Sequence, residues 1–216
     1  MLNGQKNLKI DLKLKKKFIY LISPPKIEDY IFFDQLKKTL SLNKVSFFQL
    51  RLKKYEKKIF VFGKKIRKIT KKHGVKFLVN DDPVLAKRLH ADGCHLGQKD
   101  MNIKNARKIL GNKKIIGITC HNSKFLVNKA VKADADYIAL GSFFKTHTKK
   151  VKHKAKLSTL KWCKNTHNLP VVAIGGINNK NYKKLLLNRA DFLAISGYIW
   201  KNKKFKPEQA LKKIKK

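Results

Sequence analysis

Apolar residues fall in eight short runs, beginning at positions 18, 45, 76, 93, 114, 137, 170 and 192, rich in β-branched and aromatic side chains and apolar at consecutive positions. A strand apolar at every position is buried on both faces, which happens in a parallel sheet covered by crossover helices. Between the runs, residues recur at helical spacing over 28–40, 57–73, 83–90, 102–110, 123–133, 158–165, 179–187 and 207–214. Strand followed by helix, eight times over, predicts the α/β class and a single (β/α)8 TIM barrel. An open doubly wound sheet of similar strand count is the structural alternative, and Ile59-Phe60-Val61-Phe62 is the place where strand competes with helix.

Punctuation agrees with this order. Pro83 and Pro207 sit where a first helical turn accepts them, Asn122 or Ser123 can cap the helix after Thr119, and Gly74 and Gly111 stand where helices should stop. No linker divides the chain, so one catalytic barrel over 17–216 is expected, preceded by a loose basic extension over 1–16. At 216 residues the chain is long enough for such a core.

Composition changes the picture in one respect. Hydrophobic residues make up 43% of the chain, yet Lys and Arg outnumber Asp and Glu by 53 to 13, a formal charge of +40. Almost all the basic residues are Lys; only Arg51, Arg67, Arg88, Arg107 and Arg189 carry the planar fork that clamps a phosphate or reads a base edge, and the lysines are spread along the chain. A solvated Lys coat is the favoured account, and nucleic-acid binding enters only as a non-specific side effect of a basic surface, strong at low salt and lost as salt rises. Cys94, Cys120 and Cys163 show no C-x-x-C spacing, which argues against a disulfide framework or zinc site and for a reducing compartment. Lys15-Lys16-Lys17 precede an apolar run too short for a signal peptide, and nothing approaches the ~20 apolar residues of a membrane span, so a cytoplasmic protein is expected. The oligomeric state is not legible; a homo-oligomer is compatible with everything above.

In a barrel of this kind chemistry gathers at the C-terminal ends of the strands. Those positions are filled by Gln49, Arg51 and Lys53, which alternate onto one face; by Asn80-Asp81-Asp82; by Gln98-Lys99-Asp100; by Thr119; by Thr146-His147-Thr148-Lys149; by Gly175-Gly176; and by Ser196-Gly197. Paired hydroxyls followed by an ammonium suit a phosphorylated ligand, and glycines after strands seven and eight let backbone N–H groups approach a phosphate. Three of the few acids, Asp81, Asp82 and Asp100, fall in two loops beside this cationic pocket, and a divalent cation is the simplest reason for them. His95 and His121 lack a metal-ligand partner at helical spacing and read as structural or wall-lining.

Five motifs in order, QLRxK at 49–53, ND at 80–81, GxHLGQxD at 93–100, TxTK at 146–149 and AIGGI at 173–177, resemble the thiamine phosphate synthase family over most of the chain, from Tyr20 to Ser196. That resemblance implies a (β/α)8 barrel that joins hydroxymethylpyrimidine diphosphate to thiazole phosphate, releases pyrophosphate and uses Mg2+. It further implies that Gln49, Arg51, Lys53, Asn80, Thr119 and Lys149 hold the pyrimidine diphosphate, with Arg51, Lys53 and Lys149 catalytic. Asp81 and Asp100 would hold the metal, and Thr146, His147, Thr148, Gly176, Ile195 and Ser196 would receive the thiazole phosphate. The chain departs from the family where Leu52 stands for Glu, Asp82 for Arg and Thr119 for Ser. Asp82 is the departure of most concern, since it adds negative charge beside a phosphate site. The rival readings are a thiazole tautomerase of the same superfamily, which needs neither diphosphate clamp nor metal, and a catalytically silent barrel whose Lys coat binds nucleic acid.

Overall fold

The computed structural model describes residues 10, 17–27, 30–52, 56–146 and 153–215. Eight parallel strands close on themselves in sequence order, so the open sheet is excluded. The strands are β1 (Ile19–Ile22), β2 (Val45–Leu50), β3 (Lys76–Asn80), β4 (Gly93–Leu96), β5 (Ile115–His121), β6 (Tyr137–Gly141), β7 (Val171–Ile174) and β8 (Phe192–Ile195). The helices are α1 (Tyr30–Leu40), α2 (Glu56–Lys72), α3 (Pro83–Arg88), α4 (Ile103–Leu110), α5 (Lys124–Lys132), α6 (Leu157–Thr166), α7 (Tyr182–Leu187), α8 (Gly197–Trp200) and α9 (Pro207–Lys212). The ambiguous stretch Ile59-Phe60-Val61-Phe62 is helix, inside α2. Pro83 and Pro207 open α3 and α9, Ser123 Oγ caps α5 by accepting the Leu126 N–H at 3.2 Å, and Gly74 and Gly111 end α2 and α4 at φ of +62° and +80°.

Consecutive strand residues divide between two cores, as period-two alternation requires. Leu21, Phe48, Val79, Cys94, Ile116, Leu140, Ala173 and Leu193 face outward into the layer beneath the helices. Tyr20, Phe47, Leu78, Tyr137, Val172 and Phe192 face inward. The barrel axis is thus filled largely by aromatic rings: Phe47 stacks on Tyr20 at 5.4 Å between centroids and meets Phe192 edge-on at 5.0 Å. Gly117 makes room for one of them, because a Cβ there would stand 1.9 Å from the Tyr137 ring. In the segment expected to be loose, the described residue Ile10 is 2% exposed and packs into this inner cluster.

The N-terminal rim carries a device used three times. Asp92, Asp136 and Asp191 each stand immediately before an even-numbered strand, and each donates its N–H to a carbonyl of the preceding odd strand, Phe77 O, Ile116 O and Val171 O. One carboxylate oxygen then accepts the N–H of that same residue, at 2.8 Å in all three cases. The same oxygen also meets a cation: Arg67 at 3.0 Å, Arg107 at 2.7 Å and Lys164 at 2.8 Å. Each aspartate therefore staples two strands in register and anchors a helix to them, α2, α4 and α6 respectively. The Arg107 and Lys164 pairs are 12–14% exposed, so removing a carboxylate would leave a sheltered cation without its partner.

Asp136→Ala should accordingly destabilise the fold by about 3–5 kcal/mol, read as a lowered urea midpoint at unchanged m-value. A loss below about 1 kcal/mol would place this pair with ordinary surface salt bridges.

Candidate active site

At the opposite rim the strand ends converge. Gln49, the penultimate residue of β2, is 2% exposed and donates its amide Nε2 to Asn80 Oδ1 at the end of β3, at 2.8 Å. This leaves Asn80 with its amide donors for anything bound above. Asp81, at φ +65°, donates its N–H to His95 O at 2.8 Å, so the turn after β3 is tied to the end of β4. Asp82 points elsewhere: its Oδ1 accepts the Leu85 N–H at 2.9 Å as the N-cap of α3. The departure from the family at that position is a helix cap.

The loop after β4 bends back across β5. Asp100 Oδ2 accepts the Gly97 N–H at 2.6 Å, and Gln98 Nε2 donates to Thr119 O at 2.5 Å. His95 lies between them, with Nδ1 2.8 Å from the Tyr137 hydroxyl and Nε2 2.8 Å from Thr119 Oγ1. Burial pushes the His95 pKa down to about 4, Arg51 pushes the same way and Asp100 opposes, which places both charged groups around this imidazole. Arg51 forms no ion pair among the described residues, leaving its guanidinium for an anion. The register of β5 slips between Thr119 and His121, which sends Cys120 into the outer core and sets the His121 ring 4.4 Å from that of His153.

Strands six to eight complete the mouth. Gly175 and Gly176 have φ of +107° and +63°, and a Cβ on them would fall 2.0 Å from Ser142 Oγ and 2.2 Å from Lys145 O. The loop after β7 therefore packs main chain to main chain on the loop leading to Thr146, with Phe144 N–H donating to Gly175 O at 3.0 Å. Ser196 Oγ donates to Ser23 O at 3.0 Å, while Ser23 Oγ accepts the Arg51 N–H at 2.9 Å. Ser23, at the end of β1, thus connects the β8 loop to the β2 loop. Ile195 is 2% exposed and its side chain sits in the outer core, so only its main chain can face a ligand.

Of the residues expected to form the site, Gln49, Arg51, Asn80, Asp81, Asp100, Thr119, Thr146, Gly176, Ile195 and Ser196 all stand at this rim. Lys53, His147, Thr148 and Lys149 lie outside the described residues. Sequence reasoning undervalued His95, which sits in the middle of the polar network, and passed over Ser23 and Tyr137. His95 could have been suspected as the one polar side chain in the apolar run of β4.

A family model described as thiamine monophosphate synthase matches residues 19–199. The chain belongs to that family. It is 62% identical over 204 residues to the thiamine-phosphate synthase of Pelagibacter ubique, covering 94% of this chain and 98% of the relative. It is 41% identical to that of Erythrobacter litoralis, over 84% and 87% of the two chains. Among solved structures it resembles thiamine phosphate pyrophosphorylase from Pyrococcus furiosus at a TM-score of 0.81, with 27% identity over 94% of this chain and 95% of that one. Among the described residues no helix is long and apolar enough to cross a membrane.

The depressed pKa of His95 has a consequence for stability. Between pH 6.5 and about 4 the unfolded chain takes up a proton that the folded site refuses, so stability falls as pH falls through that window. His95→Gln should flatten the slope of urea midpoint against pH there; an unchanged slope would show that His95 titrates normally.

Proposed function

We propose that this family member makes thiamine phosphate by joining 4-amino-5-hydroxymethyl-2-methylpyrimidine diphosphate to 4-methyl-5-(2-phosphoethyl)thiazole with release of pyrophosphate. The observation that carries it is the 62% identity to a thiamine-phosphate synthase along nearly the whole of both chains. The rim described above is consistent with it: amide heads from Gln49 and Asn80 suit an aminopyrimidine, and Arg51 suits a diphosphate.

In the reaction a C–O bond to pyrophosphate breaks, its electron pair leaves with the pyrophosphate, and the lone pair of the thiazole nitrogen forms a C–N bond. No proton leaves the attacking nitrogen, so no general base is required. Arg51, Lys53 and Lys149 would stabilise charge gathering on the leaving group. Gln49, Asn80 and Thr119 would orient the pyrimidine diphosphate, and Thr146, His147, Thr148, Gly176 and Ser196, with the Ile195 main chain, would aim the thiazole phosphate. Asp81 and Asp100 stand on neighbouring loops, and no group of three or more His, Cys, Asp or Glu able to hold a metal occurs among the described residues. That donor set fits Mg2+, which takes one or two carboxylates and completes its shell with phosphate oxygens and water. Bound there, Mg2+ would supply positive charge to the diphosphate. Cys94, Cys120 and Cys163 are free and buried, in keeping with a cytoplasmic enzyme.

Purified protein supplied with Mg2+ and both substrates should yield thiamine phosphate and pyrophosphate in equal amounts; neither product from folded, saturated protein would overturn the assignment. Lys149→Ala should raise the barrier by about 2–4 kcal/mol without lowering the urea midpoint. Asp100→Asn, which keeps an acceptor for the Gly97 N–H, should raise the Mg2+ concentration needed for half-maximal rate. An unaltered Mg2+ response would remove Asp100 from the metal site.

A further inference from the structure

We propose that Tyr20, Tyr137 and His95 form a one-way hydrogen-bond chain that holds Thr119 as a donor toward the pyrimidine diphosphate, with Tyr137 a positioning residue. This rests on the reading that Thr119 contacts that substrate. The chain has three links, Tyr20 Oη to Tyr137 Oη, Tyr137 Oη to His95 Nδ1, and His95 Nε2 to Thr119 Oγ1, each 2.8 Å long. Its members come from β1, β6, β4 and β5, and it runs from the packed interior of the barrel to the mouth.

Counting protons sets its direction. With a neutral imidazole the four groups carry one hydrogen-bonding proton each, three links use three of them, and the fourth must leave from one end or from Tyr137, whose 1% exposed ring lies in the closed interior and whose hydroxyl is bonded among the described residues to Tyr20 and His95. At the inner end Tyr20 is 2% exposed, packed against Phe47 and the other inner-core side chains, and Tyr137 is the one hydrogen-bond partner of its hydroxyl among the described residues. A proton turned inward there would be a buried donor without an acceptor. At the outer end Thr119 is partly exposed at the rim. The surplus proton therefore leaves from Thr119. Tyr20 donates to Tyr137, Tyr137 donates to Nδ1, and Nε2–H donates to Thr119 Oγ1, whose own O–H points out of the chain.

An imidazolium would add a fifth proton and force one out at each end, including the closed Tyr20 end. Both tyrosine hydroxyls are held protonated by burial. A hydroxyl already accepting an N–H is a stronger donor, and the oxygens of a diphosphate are acceptors with no protons to give. The Tyr137 ring reaches this position because residue 117 is glycine. The chain thus converts an interior packing choice into a fixed polarity at the substrate rim.

The first test needs no variant: full-length protein with 15N-labelled histidine rings, examined by long-range proton–nitrogen correlation, with His95 assigned by loss of its signal in His95→Gln. The expected pattern is Nε2–H with a bare Nδ1, unchanged from about pH 8 to about pH 5.5. A proton on Nδ1, or an imidazolium in that range, overturns the proposal while leaving the synthase reading intact. In kinetics, Tyr137→Phe should raise KM for the pyrimidine diphosphate about tenfold, the worth of one hydrogen bond to a charged group, with KM for the thiazole phosphate and kcat unmoved. A folded Tyr137→Phe with parental KM overturns the positioning role, and a Thr119→Val without effect on that KM overturns the contact on which the proposal rests.

Discussion

The relative height of the eight strands sets every distance at the mouth, and three aspartates at the opposite rim hold that height. Asp92, Asp136 and Asp191 each bind both main-chain polar groups of one residue on the neighbouring strand and a helix-borne cation. A slip of one residue in a strand would turn each inward side chain outward. Gln49 would then lose Asn80, and His95 would lose both Tyr137 and Thr119. The site at one end therefore depends on carboxylates at the other, although none of the three touches it.

This division also accounts for how a chain of charge +40 uses its few acids. Three lock the sheet, Asp82 caps a helix, and Asp81 and Asp100 remain at the rim. The other seven acids cannot balance 53 Lys and Arg, so most of the positive charge goes uncompensated. The glycines follow the same logic of shared space. Gly117 yields room to Tyr137 in the interior, and Gly175 with Gly176 allows two loops to touch through their main chains. The latter pair shapes the pocket wall whether or not a phosphate also approaches it.

Much of this was legible in one dimension. Consecutive apolar residues in short runs mean burial on both faces, and eight of them separated by helical periods leave few architectures open. Polar residues at the ends of those runs marked the rim, because the direction of a parallel strand decides which end its last residue occupies. Three of the four Ala-Asp pairs, at 91–92, 135–136 and 190–191, stand directly before an apolar run, a readable signal of the staples.

What the sequence determined alone is whatever depends on neighbours along the chain: the periods, the proline and glycine punctuation, the caps, and the list of polar groups at strand ends. Only the tertiary structure decided which of those groups meet. Tyr20 and Tyr137 stand 117 residues apart and share a hydrogen bond inside the barrel. His95, read as a wall residue, became the junction between that interior and Thr119. Asp82, read as a threat to a phosphate site, turned to cap its own helix, and the Ile195 side chain turned away from the pocket. Such outcomes depend on barrel closure and on the alternation of side chains across a curved sheet, which bring together residues that no spacing along the chain relates.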